Sequence, residues 1–135
     1  MTKLETIEGI GEVYAKTLRE KASISIVEEL LEAGATPQGR KALEEKTGIG
    51  HKLILEWVNL ADLMRIKGIS EEYSDLLEEA GVDTVKELRN RVPEHLHQKM
   101  VEVNEKKKLV RRLPGLSEVK SWVEQAKKLP PKVTY

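Results

Sequence analysis

The sequence predicts an all-α protein, a compact bundle of short helices, and three observations predict it. Helix start and stop signals recur along the whole 135-residue chain. No segment alternates apolar and polar residues as a half-buried strand does. The stretches between helical segments are short throughout.

The elements follow in order. Thr2 and Glu5 have capping-box spacing, in which a hydroxyl and a carboxylate satisfy each other's free amides, ahead of a short apolar turn. Glu12 to Lys21 reads as a helix with Val13, Tyr14 and Leu18 on its inner face. Ser25 and Glu28 repeat the capping spacing and open a helix that Gly34 stops. Thr36 places a capping hydroxyl before Pro37, which suits the first helical turn, and that helix ends at Gly48. From His51 to Ile66 the chain is apolar on most of a helical circumference. Lys52, Glu56, Asn59, Asp62 and Arg65 form one narrow polar stripe along it. Such a helix belongs in the interior, so this one is expected to be central. Ser70 caps a helix that ends at Gly81, and Thr84 with Glu87 makes another capping pair. Pro93 starts a long helix with Leu96, Met100 and Val103 on one face. After the break at Pro114-Gly115, Ser117 opens a last helix that runs to about Lys128.

The chain repeats itself. "IEGIGEVYAKTL" at 7–18 aligns with "IKGISEEYSDLL" at 66–77, with six of twelve positions identical. "WVNLA" at 57–61 resembles "WVEQA" at 122–126. The expected organisation is a first helical repeat over 1–65 and a second over 66–135. No flexible linker separates them, so one fused body is expected.

Composition narrows the function classes. Hydrophobic residues make up 39%, enough for a core, while phenylalanine is absent, so leucine, isoleucine and valine must fill it. Cysteine is absent, which excludes disulfides, thiolate metal sites and cysteine nucleophiles. The N-terminus has no apolar run suited to a signal peptide, and nothing approaches the ~18 apolar residues of a membrane span. A reducing, cytoplasmic setting with no membrane partner is expected. Acids and bases number 23 each, a net charge of zero that counts against a uniformly basic nucleic-acid binder. The distribution is uneven: residues 66–85 carry −5 and residues 86–112 carry +5. The run "KKKLVRR", with Lys106, Lys107, Lys108, Arg111 and Arg112, could follow a phosphate backbone, each contact adding salt-sensitive affinity. It could equally be a solvated helix end, where cations suit the dipole.

Four punctuation sites share one pattern: "GIG" at 9–11, "GIG" at 48–50, "GIS" at 68–70 and "GLS" at 115–117. Each lies between a short apolar element and a helix. Glycine permits a positive φ, the middle residue tucks inward, and the last residue caps a helix whose free N–H groups suit an anion.

These residues resemble the helix-hairpin-helix superfamily of nucleic-acid-binding domains. Leu4, Ile7, Gly9, Ile10, Gly11, Ala15 and Leu18 match the family pattern closely, and Leu43, Gly48, Ile49, Gly50 and Ile54 match it more loosely. Ser70 and Ser117 depart from it, standing where the second glycine belongs. The wider layout, through "IEGIG", "WVNLADLMRIKGI", "AGVDTVKEL" and "VEVNEKKKLVRRLPGL", resembles a prokaryotic family of unknown function built from such hairpins. The superfamily resemblance implies sequence-independent contacts from hairpin amides to backbone phosphates. Carried over, Gly48, Gly50 and His51 would offer N–H groups and Lys52 a charge, with Gly9, Ile10 and Gly11 forming the second hairpin. Glu8 and Glu12 flank that second hairpin, and Glu71 and Glu72 follow the one at 68–70, which disfavours a phosphate there.

No catalytic constellation emerges. His51, His95 and His97 are the only histidines, and the last two are spaced to point to different sides of a helix. No nucleophile elbow, Walker A loop or zinc-protease motif is present. Tyr14, Tyr73, Trp57 and Trp122 read as packing residues. The expectation is a non-enzyme without metal or cofactor that binds duplex DNA or structured RNA. The alternative is a protein-docking or self-association scaffold.

Overall fold

Glycines and capping side chains cut the chain into helices close to where the sequence predicts. The computed structural model describes residues 2–135, which are all-helical, with no strand among the described residues. A 3-10 turn at Leu4–Thr6 precedes α1 (Glu12–Ala22), α2 (Val27–Gly34), α3 (Pro37–Thr47) and α4 (His51–Leu63). Then come α5 (Glu71–Glu79), α6 (Val85–Leu88), α7 (Pro93–Lys107) and α8 (Leu116–Lys128). The chain divides into two compact units: Met1–Asp62 with Lys132–Tyr135, and Leu63–Pro131. Residues 132–135, which the repeat reading places in the second half, thus belong with the first unit.

The repeat extends to individual hydrogen bonds. In unit 1 the Ile7 amide donates to the Leu4 carbonyl at 3.0 Å and the Ile10 amide to the Ile7 carbonyl at 3.1 Å. In unit 2 the Ile66 amide donates to Leu63 and the Ile69 amide to Ile66, both at 3.1 Å. Each pair of turns ends in a left-handed glycine, Gly9 at φ 93° and Gly68 at φ 100°. A tryptophan from the unit's last helix sits over each. A Cβ at Gly9 would lie 3.3 Å from Trp57 Nε1, and one at Gly68 would lie 3.0 Å from Trp122 Nε1. The first helix of each unit supplies a tyrosine that packs on the same indole, Tyr14 at 5.0 Å from Trp57 and Tyr73 at 5.3 Å from Trp122. Around these centres, Leu4, Ile7, Leu18, Leu30, Ile54 and Leu60 are buried in unit 1. Leu63, Ile66, Leu76, Leu77, Leu88 and Met100 are buried in unit 2.

Several local expectations shift. Val13 is 77% exposed, and Ala15 takes its place on the inner face of α1 beside Leu18. Thr2 does not pair with Glu5; its amide and hydroxyl both donate to Glu28 at 3.1 Å. With Glu28 engaged there, Glu29 caps α2 instead, accepting from the Ser25 and Ile26 amides at 2.9 and 3.2 Å. Thr36 and Thr84 cap as expected, accepting from the Gly39 and Glu87 amides. The polar stripe of α4 is only partly solvated. Asn59 and Asp62 are buried, and Asn59 accepts a 2.8 Å hydrogen bond from the Tyr135 hydroxyl. Tyr135 belongs to a terminal strap that unit 1 holds. The Thr134 amide donates to the Ala35 carbonyl at 2.8 Å, and the Thr134 carbonyl accepts from Arg40 Nη2 at 2.6 Å. Arg40 is 2% exposed, and its Nη1 donates to the Gly34 carbonyl at 2.9 Å.

Gly9 and Gly68 are constrained twice, by conformation and by the indole above them. Gly9→Ala and Gly68→Ala should each lower stability by about 1–3 kcal/mol. Urea denaturation should show this as a reduced midpoint at unchanged slope.

Candidate functional site

The α3–α4 corner of unit 1 is built by three adjacent choices. Gly48, at φ 74°, ends α3 by donating its amide to the Glu44 carbonyl at 2.9 Å. The Ile49 side chain is buried and anchors the turn, and its amide donates to Thr47 Oγ1 at 3.1 Å. Gly50 then stands at the cap position of α4, its carbonyl accepting from Ile54. The amides of Gly48 and Ile49 are therefore already used, which corrects the expectation that Gly48 offers a free donor. Among the described residues, the amides of Gly50, His51 and Lys52 have no acceptor, and all three residues are exposed. They form the orphan donors of a helix start, where the dipole favours an anion. The first turn of α4 contains no acid.

The α1 corner has the same design with a different charge. The Ile10 side chain is buried and its amide is used by Ile7, while Gly9 and Gly11 are exposed. Gly11 caps α1 in an extended conformation, φ −86°, without a side-chain hydrogen bond. Glu12 occupies its first turn, and Glu8 before it is also exposed. At the third corner Ser70 precedes Glu71 and Glu72, and its hydroxyl makes no cap bond.

Neither Gly11 nor Gly50 is required by its own fold. Neither has a positive φ, and no heavy atom would lie within 4 Å of a Cβ at either position. Serine, aspartate and asparagine cap helices at least as well as glycine. Glycine at these two positions leaves the helix amides uncovered and open to close approach from outside.

The fourth corner is different, and the expectation of a Ser117 cap is corrected. Gly115, not Ser117, caps α8, with φ −74°. Its amide donates to Glu118 Oε1 at 3.0 Å, so a carboxylate of the chain itself occupies this helix start. Glu118 also accepts from Arg112 Nη2 at 2.6 Å. Arg112 Nη1 in turn donates to the Tyr73 hydroxyl at 2.8 Å, and that hydroxyl donates to the Arg112 carbonyl at 2.9 Å. Lys107 is paired with Glu79. Two of the five basic residues singled out in the sequence are thus engaged within unit 2. Among the described residues, Lys106, Lys108 and Arg111 are exposed and have no ion-pair or hydrogen-bond partner for their side chains. The part played by Glu118 was readable in principle, since Gly115 precedes Trp122 by the same seven residues that separate Gly50 from Trp57.

The histidines do not converge. His97 Nε2 donates to the Pro114 carbonyl at 2.9 Å, and His51 and His95 are exposed. Among the described residues no group of three or more histidine, aspartate or glutamate side chains could hold a metal ion. No helix among them is long and apolar enough to cross a membrane.

The sequence model of one family, described as a domain of unknown function (DUF4332), matches residues 8–129. No curated protein and no solved structure matches significantly.

The Glu118 network predicts a pH dependence. Hydrogen bonding from Arg112, and then from the Gly115 amide, holds the Glu118 carboxyl below the usual carboxylate range. Its contribution is therefore full at neutral pH and is lost as pH falls through that lowered value. Thermal melts between about pH 7 and pH 3 should show Glu118→Gln with lower stability at neutral pH and a shallower acid decline than the parent.

Proposed function

The chain belongs to the DUF4332 family of unknown function, and from the corners it carries we propose that it is a non-catalytic, sequence-independent nucleic-acid-binding module of helix-hairpin-helix type. The observation that carries this reading is the open helix start at 50–52. There a glycine that the fold does not need leaves exposed amides without an acceptor, beside Lys52 and with no acid in the first turn. A backbone phosphate accepts such amides without regard to base identity. Gly9, Ile10 and Gly11 form a second corner of the same geometry in the same unit, weakened by Glu8 and Glu12. In unit 2 the exposed basic residues near 106–112 add charge contacts of the salt-sensitive kind.

A second reading is a protein-docking or self-association module. The exposed acids Glu71 and Glu72 at the start of α5 favour it, because they repel phosphate at a corner whose backbone matches that of 9–11.

Titration of labelled duplex DNA, single strands and structured RNA at about 50 and 200 mM salt separates the two. The nucleic-acid reading expects binding that weakens steeply with salt. A sharp test is Gly50→Asp. An aspartate cap should stabilise α4 by a few tenths to about 1 kcal/mol while placing a carboxylate in the phosphate seat. Higher thermal stability with several-fold weaker binding is expected. Absence of binding at low salt, together with a defined oligomer or partner complex by sizing, favours the docking reading instead.

A further inference from the structure

Unit 2 contains a counterpart of the α3–α4 corner with two alterations. When the units are aligned on Trp57 and Trp122, Gly115 stands opposite Gly50. The left-handed end of the preceding helix is Gly48 in unit 1 and Lys108 in unit 2, at φ 74° and φ 50°. Each closes its helix in the same way, the Gly48 amide on Glu44 at 2.9 Å and the Lys108 amide on Asn104 at 2.8 Å. Glycine takes this conformation freely, whereas a side chain there is strained. Unit 2 therefore keeps a lysine where its own fold would be better served by glycine. It also inserts extra chain between that lysine and α8.

The inserted segment is fastened to the unit at alternate residues. Asn104 brackets Val110, donating from Nδ2 to its carbonyl at 3.3 Å and accepting its amide on Oδ1 at 3.0 Å. The Arg112 carbonyl is held by the Tyr73 hydroxyl, and the Pro114 carbonyl by His97. Val110 and Pro114 are buried. Lys108 and Arg111 remain exposed, with no partner for their side chains among the described residues. Strain tends to persist where the surroundings over-determine a conformation, and such places concentrate at binding sites. A loop already fixed in its bound form loses little backbone freedom when it binds.

We propose that residues 108–111 are a preformed basic loop in which Lys108 and Arg111 contact successive phosphates of a duplex backbone. In unit 2, where Glu118 has closed the equivalent helix start, these side chains do what the open amides do in unit 1. Lys107 and Arg112 position the loop through Glu79, Glu118 and Tyr73 rather than contacting the ligand. This inference rests on the nucleic-acid reading and adds to it.

The test pairs stability with binding on the full chain, using a short mixed-sequence duplex DNA. Lys108→Gly relieves the left-handed strain and removes the charge. The melting temperature should rise by roughly 2–6 °C. Affinity at low salt should fall about three- to tenfold, and the salt slope should shrink by about 0.9. Lys108→Gln should show the same binding loss without the gain in melting temperature. Arg111→Gln should match it in binding, and Lys108→Arg should retain affinity. Salt-dependent binding that survives unchanged in both Lys108→Gly and Arg111→Gln would overturn the loop assignment and leave the unit 1 site standing. A lower melting temperature for Lys108→Gly would also overturn it, since the lysine would then be serving the fold. A parent chain that does not bind at low salt overturns the nucleic-acid reading and this inference together.

Discussion

Each unit is organised around an indole laid over a left-handed glycine. Trp57 covers Gly9 and Trp122 covers Gly68, with Tyr14 and Tyr73 packed against the respective rings. The contact joins the first turn of a unit to its last helix, two segments far apart in sequence. A residue without a Cβ holds the required φ without strain and lets the ring approach this closely without displacement. The inward isoleucines Ile10 and Ile69, whose amides donate hydrogen bonds to the Ile7 and Ile66 carbonyls, set the same turn from the other side. Paired glycines one residue apart therefore have different causes. Gly9 is demanded by the interior. Gly11 is not, and neither is Gly50.

On this shared frame the helix starts have diverged through their charges. Backbone geometry presents orphan amides at the start of every helix. What lies beside them decides their chemistry. At 50–52 the neighbours are His51 and Lys52. At 11 a single carboxylate follows, and at 70 two follow. At 115 a carboxylate of the chain itself is seated on the amide, with Arg112 behind it. The same scaffold thus spans a range from open to acid-flanked to self-occupied. The acidic stretch 66–85 and the basic stretch 86–112 partly answer each other inside unit 2, through the pairing of Lys107 with Glu79. A net charge of zero is accordingly compatible with local surfaces of one sign.

Much of the fold was legible in the chain. Capping hydroxyls at Thr36 and Thr84, proline at the starts of α3 and α7, and glycine after α3 and α5 act locally, within one helical turn. Their effect does not depend on what packs nearby. Sequence and structure differ where a distant partner or the angular position of a residue on its helix overrides the local pattern. The spacing predicts Glu28 as a cap, but Thr2 reaches it from the preceding segment and the capping role falls to Glu29. Val13 is apolar, which predicts an interior place, but the angular position of Ala15 and Leu18 turns it outward. Asn59 and Asp62 lie in the narrow polar stripe that the sequence marks on α4, and the sequence names no partner for them. They are buried, and the terminal strap brings Tyr135 onto Asn59.

The candidate site divides along the same line. The sequence by itself determined the all-helical class, the two repeats, the positions of the glycine corners and the charge beside each. These depend on residue chemistry and on spacings of a few positions. Tertiary structure alone decided which glycines the interior requires and which cations of "KKKLVRR" are engaged. Those outcomes depend on whether groups tens of residues apart come within hydrogen-bonding distance, and no local pattern encodes that distance.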